Sequence, residues 1–187
     1  MENRYFDYPV MDDIQKRWSP RAFDPTKTVA DEDLYALLEA ARYAPSCFNE
    51  QPWRFILAKD EGIKEQVLGT LTISNQEWAS KAPILMVILS KPLFQQSGKN
   101  NRWHQFDAGT AWGFLALEAQ RRGLITHAMG GFSVDAMREA FHIPEDISIM
   151  AVVAIGYMGQ LETLSEKNRE KEKPGNRKSI AELLYKV

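Results

Sequence analysis

The sequence predicts a mixed, layered domain in which helices cover a small β-sheet. Three observations carry that class. The run ILMVILS at 84–90 is apolar without a break, as in a strand buried on both faces. Leu34, Leu37, Leu38 and Ala41 recur at helical spacing, and so do Ala108, Ala111, Trp112, Leu115 and Ala119. The chain has 187 residues, 44% of them hydrophobic, which fits one domain over 1–187 with a sizeable core.

The elements follow in chain order. Residues 8–17 read as a short helix stopped by Ser19-Pro20, because proline disfavours helical backbone at the residue before it. Residues 18–21 are then a turn or an extended segment. A helix spans 31–42, with Asp31, Glu32 and Asp33 at its positive end. Ala44-Pro45-Ser46 ends it and opens a loop through Pro52, and 53–58 reads as a strand. Weaker helices are expected at 62–71 and 75–82. After the strand at 84–90, residues 91–102 are polar, with Gln95, Gln96, Ser97, Gly98 and Lys99, and make a connection longer than most. The strongest helix is 107–122, closed by Gly123 in the usual position after a helix. Ser133 caps a helix through Phe141 that stops near Pro144, and 149–155 is the third clear strand. Residues 162–178 are strongly charged and contain Pro174-Gly175. They are too polar for a core and run over a surface before 179–187 turns apolar again.

Composition excludes several classes. The formal net charge is -2, from 23 basic and 25 acidic side chains, which gives no reason to expect nucleic acid or a membrane surface as partner. Cys47 is the single cysteine, so a disulfide within the chain and a Cys-rich metal site are excluded. His104, His127 and His142 lack metal-ligand spacing, and no metal is expected. The N-terminus is polar and acidic, unlike a secretory signal, and the longest apolar runs are too short to span a bilayer. A soluble cytoplasmic protein is the expectation.

No nucleophile elbow, P-loop or dinucleotide-binding glycine fingerprint is present. Cys47 paired with His104 or His127 would make a thiol nucleophile, but a small packing residue is the simpler reading. Three segments carry more information together than singly. In Arg17-Trp18-Ser19-Pro20-Arg21-Ala22-Phe23, two guanidinium groups and a hydroxyl lie on a proline-broken segment, which suits a phosphate or an electron-rich ring, or else is an ordinary basic loop. The loop from Ala44 to Phe55 places Ser46 and Asn49 beside Phe48 and Trp53, suited to the edge of a flat heterocycle, or else is plain helix-to-strand punctuation. Met129-Gly130-Gly131-Phe132 lets backbone approach a ligand closely, or is a simple turn.

In combination, R-x-S-x-R-x-F, A-P-S-x-x-N-x-Q-P-W-R-F, a D-x-G helix ending in G-L, and M-G-G-F followed by I-P-E-D resemble the nitroreductase family. The resemblance runs from about Arg17 to Tyr157, and the middle loop is its most specific part. It implies an α+β, three-layer α/β/α fold around a small, mostly antiparallel sheet. It also implies a homodimer with an exchanged C-terminal tail (160–187) and FMN held at the dimer interface.

By resemblance, Arg17, Trp18, Ser19 and Arg21 contact the flavin from one chain. Arg17 takes the phosphate side, and Arg21 the N1–O2 end, where positive charge favours the reduced form. Pro45, Ser46, Cys47 and Asn49 come from the partner. Asn75 matches an asparagine that bonds the pyrimidine edge, within a loose surrounding match. Met129, Gly130 and Gly131 bring backbone N–H groups near flavin N5, and Arg177 with Lys178 closes over the phosphate. Many relatives carry an acidic residue where Gly130 stands, and a helical insertion that this chain lacks. The implied activity is hydride transfer from NADH or NADPH, through FMN, to a nitroaromatic, quinone or similar small acceptor in alternating turns. The chemistry belongs to the cofactor rather than to a catalytic side chain. A flavin reductase, an enone reductase, a dehalogenase or a non-catalytic flavin-binding protein remain open on the same scaffold.

Overall fold

Strand formation in this chain centres on one segment with no polar face. The computed structural model describes residues 4–185, so the outermost residues of the N-terminal segment and of the 179–187 stretch lie outside the described residues. In chain order the elements are α1 (Asp12–Lys16), α2 (Asp31–Arg42), β1 (Trp53–Ala58), α3 (Glu61–Thr70), α4 (Ile73–Ala79), β2 (Ile84–Ser90), α5 (His104–Arg121), β3 (Ile125–Met129), α6 (Val134–Phe141), β4 (Ser148–Gly156), α7 (Glu166–Arg169) and α8 (Ile180–Leu183).

The four strands lie in the order β1-β2-β4-β3. Every neighbouring pair is antiparallel, with Trp53 opposite Ser90, Ile84 opposite Ile155 and Met129 opposite Val152. All of β2 is buried, and its side chains alternate between two cores. Leu85, Val87 and Leu89 pack with Val67, Trp78 and Met137, on the side of α3, α4 and α6. Ile84, Met86 and Ile88 pack with Leu34, Leu37, Ala111 and Leu115, on the side of α2 and α5. This is the three-layer, antiparallel arrangement that the resemblance implied.

Several local readings change. The edge strand β3 was not expected, because ITHAM is short, carries two polar residues and is only half buried. The first helix is α1 alone. Pro9 keeps Tyr8 out of helical backbone, and the helix starts at the acidic pair Asp12-Asp13. Helix α5 begins before residue 107, where the Asn101 carbonyl and side-chain oxygen accept the N–H groups of His104 and Trp103. The polar 162–178 stretch is not confined to the surface: Leu164 joins a core, Asn168 bonds Glu77, and the Glu172 side chain is fully enclosed. The charges surrounding them stay outside, so a few inward-facing residues suffice to hold the segment on its own chain.

One contact fixes the stretch that carries the first motif. Phe23 is fully buried and bridges to Met158, with Asp24 N–H donating to Tyr157 and Gly159 N–H to Ala22. A Cβ on Gly159 would lie 2.6 Å from the Phe23 carbonyl carbon, so only glycine permits this approach. Residues 22–24 thus lie against the segment that leaves β4, with Arg17, Ser19 and Arg21 just before them.

Candidate functional site

The segment from Arg17 to Phe23 is held from three further directions. Phe23 stacks on Trp78 of α4, ring centroids 6.2 Å apart, and Trp78 lies 4.5 Å from the His127 ring of β3. The Nδ1 of His127 is 2.9 Å from the Pro20 carbonyl, which only accepts, so Nδ1 carries the proton. Burial holds this imidazole neutral, with its pKa pushed down to about 4. From the tail, Glu172 Oε1 accepts the backbone N–H groups of Arg21 at 2.6 Å and Ala22 at 2.8 Å. The Arg21 guanidinium sits over Trp78 at 6.0 Å.

Immediately upstream, positive charge gathers. Arg17 donates to the Trp18 carbonyl at 3.2 Å and the Ser19 hydroxyl at 3.4 Å, and Arg4 donates to the Arg17 carbonyl at 2.8 Å. Arg4, Arg17, Arg177 and Lys178 line one cavity of about 750 Å³. Among the described residues, none of the three arginines has a carboxylate at ion-pair distance; Arg177 donates only to the Gly175 and Asn176 carbonyls. Burial, then the charges of Arg177 and Arg4, push the Arg17 guanidinium below its ordinary pKa. Like charges held together in a partly desolvated cavity favour an anion that can accept several N–H donors at once, and a phosphate does so.

The glycine pair meets α4. Asn75 Nδ2 donates to the Gly131 carbonyl at 3.0 Å, and Thr72 N–H donates to the same oxygen. A Cβ at Gly131 would lie 2.7 Å from Asn75 Nδ2, whereas one at Gly130 meets nothing within 4 Å. A side chain at 131 would therefore have to push the Asn75 amide off its hydrogen bond to the Gly131 carbonyl, whereas Gly130 has room for one. Met129 is buried at the end of β3, which places the glycines three and four residues beyond His127.

The loop with Pro45, Ser46, Cys47 and Asn49 is tied elsewhere. Cys47 N–H donates to Asp107 of α5 at 3.0 Å, and Ser46 Oγ accepts from Gln51 N–H. Phe48, Asn49 and Gln51 all have φ between 51° and 55°, left-handed backbone that costs non-glycine residues energy and clusters at functional sites. Phe48 is 91% exposed, its ring edge-on to Phe94 of the 91–102 connection. Among the described residues, no hydrogen bond, ion pair or ring contact joins this loop to residues 17–21. The structure brings Arg17 and Arg177 to one cavity, with Ser19 bonded to Arg17, and holds Arg21 beside them on the same segment against Trp78 and Glu172; Asn75 lies on the helix of Trp78, and Gly131 follows the strand of His127. It leaves the 45–49 loop apart.

Four contributors escape the sequence reading. Arg4 precedes any motif, Trp78 sits in a weakly periodic helix, His127 lies in the unrecognised edge strand, and Glu172 is one acid in a charged run. Only their contacts with residues 17–23, visible in three dimensions, single them out. Among the described residues, no group of three or more His, Cys, Asp or Glu is placed to hold a metal ion, and no helix is long and apolar enough to cross a membrane.

Comparison with known proteins bears on this site. The model of the Nitroreductase family matches residues 14–157. A protein of Archaeoglobus fulgidus, provisionally named an NADH dehydrogenase/NAD(P)H nitroreductase, is 30% identical over 148 residues, covering 77% of this chain and 82% of that one. The major NAD(P)H-flavin oxidoreductase of Aliivibrio fischeri is 38% identical over 60 residues, 32% of this chain and 28% of that protein. Among solved structures, an oxidoreductase containing FMN superposes with a TM-score of 0.93 at 36% identity, covering 99% of this chain and 95% of that one.

The neutral His127 has a consequence for stability. Unfolded, the imidazole takes its proton near pH 6.5, and folded, only near 4. Between those values the unfolded state binds more protons, so this contribution is complete above about pH 6.5 and is lost as pH falls towards 4. The shift corresponds to about 3 kcal/mol. His127→Asn keeps a donor near the Nδ1 position. Chemical unfolding at pH 7 and pH 4.5 is expected to show a steeper loss for the native protein than for this variant; equal losses contradict the assignment.

Proposed function

The chain belongs to the nitroreductase family, and from that premise we propose an FMN-dependent oxidoreductase that carries electrons from NADH or NADPH to a small organic acceptor. The observation that carries this reading is the convergence of Arg4, Arg17 and Arg177 on one cavity, where Asp7 also lines the wall but, among the described residues, no carboxylate lies at ion-pair distance from the three guanidinium groups. That donor set suits the phosphate of FMN, and the similar oxidoreductase of known structure contains FMN. When bound, FMN supplies the redox chemistry, taking a hydride from the nicotinamide and passing it on in a separate turn.

The chain's own groups bind and orient. Arg17, Arg177 and Lys178 hold the phosphate, with Arg4 as a further guanidinium from the N-terminal segment. Arg21, fixed against Trp78 and Glu172, brings positive charge to the N1–O2 edge. Asn75 gives one amide N–H to Gly131, which fixes the side chain and leaves its oxygen and second N–H for the pyrimidine edge. Gly130 and Gly131 offer backbone at N5. No step asks for a thiolate from Cys47. Nitroaromatics and quinones fit as acceptors because a flat ring can stack on the flavin face. The partial likeness to an NAD(P)H-flavin oxidoreductase supports a flavin reductase as the narrower alternative.

The same reading includes a homodimer in the cytoplasm, where its reductants are abundant, as a single domain whose tail ends on the partner. Tyr5, Tyr8, Phe48, Phe106, Leu183, Leu184 and Tyr185 are all exposed on one chain, more large apolar side chains than a monomer gains by showing to water. Gly109 and Gly113 on the exposed side of α5 allow close approach of a second helix. The isolated 45–49 loop then serves the partner's flavin, with Pro45, Ser46, Cys47 and Asn49 completing that site.

Two measurements test these statements. Arg17→Ala and Arg177→Ala are each expected to weaken FMN binding tenfold or more, as loss of a charge-assisted hydrogen bond of about 1.5–3 kcal/mol implies, while riboflavin binding changes little. Equal losses for the two ligands contradict the phosphate assignment. Sedimentation of the flavin-loaded protein at micromolar and nanomolar concentration is expected to show a dimer throughout, with FMN released only on dissociation. A flavin-loaded, active monomer contradicts the shared site.

A further inference from the structure

Residues 166–173 are charged at every position but the buried Asn168, and Glu166, Lys167, Arg169, Glu170, Lys171 and Lys173 are exposed. The Glu172 side chain alone among these charges has 0% exposure. Its Oε1 holds the Arg21 and Ala22 N–H groups, while Oε2 has no hydrogen-bond partner and lies 3.8 Å from Arg21 Nη1. Enclosing a carboxylate costs several kcal/mol unless charge and hydrogen bonds offset it. The docking itself needs only one acceptor oxygen, which a neutral glutamine also offers. What glutamine lacks is the negative charge beside the Arg21 guanidinium.

We propose that Glu172 is a positioning residue with two effects: it docks the tail on the Arg21 segment, and its charge lowers the reduction potential of the bound flavin. The inference rests on the flavin reading above. Docking matters because Arg177 lies five residues downstream on the same tail, so one contact registers the phosphate-binding arginine against the segment that carries Arg17 and Arg21. The charge matters because reduction by NAD(P)H delivers two electrons and one proton, and the added negative charge is favoured by Arg21. Glu172 offsets part of that field. The reduced cofactor is therefore a stronger donor than the arginine alone would leave it.

The test compares Glu172→Gln with Glu172→Ala in the FMN-loaded protein, by anaerobic redox titration and by FMN and riboflavin binding. Glu172→Gln is expected to bind FMN within about threefold of the native protein. Its reduction equilibrium is expected to shift about tenfold towards the reduced form, ~30 mV for a two-electron couple. Glu172→Ala is expected to lose FMN affinity tenfold or more, with a smaller loss for riboflavin, and to speed tryptic cleavage after Lys171 in the flavin-free protein as the undocked tail backbone loosens. An unchanged potential in Glu172→Gln overturns the charge effect, and unchanged FMN affinity and tryptic pattern in Glu172→Ala overturn the docking. Should the alanine variant not fold, the glutamine potential still decides. If native protein takes up no FMN, the flavin reading fails with the charge effect, while trypsin digestion separately decides the docking.

Discussion

A strand with apolar residues on both faces must be covered on both sides, and β2 imposes that constraint on the whole molecule. Its alternate residues enter two separate cores, so α3, α4 and α6 are required on one face and α2 and α5 on the other. The antiparallel neighbours β1 and β4 satisfy its backbone groups, and β3 is left at the edge with half its surface open. The edge strand is where polar function collects: His127 lies within it, and the glycine pair follows its last residue. The tail crosses nearby, placing Glu172 on Arg21 and Ala22.

The site that results is held by unlike forces. Residues 22–24 are fixed by packing: Phe23 is buried against Trp78, and Gly159 allows backbone to touch backbone. Residues 17–21 are fixed by hydrogen bonds to His127 and Glu172. At the upstream end, Arg4, Arg17 and Arg177 repel one another, and part of the fold's stability is given up to keep them together. A bound phosphate reverses the sign of that contribution, so binding and stability are coupled through the same side chains.

Legibility in the sequence follows physical range. Strands β1, β2 and β4 and helices α2, α5 and α6 are written in local periodicity, and Ser133 and Gly123 act as the cap and stop their identities suggest. The edge strand β3 was invisible because half-buried ITHAM carries neither alternation nor a continuous apolar run. Helix α5 starts early because Asn101, a residue of the polar connection, folds into a buried turn. The motif arginines could be named from the sequence, since guanidinium spacing on a proline-broken segment is local. Their companions Arg4 and Glu172 could not, because what distinguishes them is a contact across 13 or 151 positions of chain. The left-handed conformations at Phe48, Asn49 and Gln51 were equally hidden, as none is a glycine that would announce them.

The central claim is that this chain is a flavin-loaded electron carrier rather than a protein that merely holds a ligand. Anaerobic addition of NADH and then NADPH to the FMN-saturated protein, followed at the flavin absorption band, addresses it most directly. The account predicts one FMN per chain, bleaching of the band by at least one nicotinamide, and recovery of colour when a quinone is added. A protein that takes up FMN but stays yellow with both nicotinamides, or one that takes up none, would contradict it.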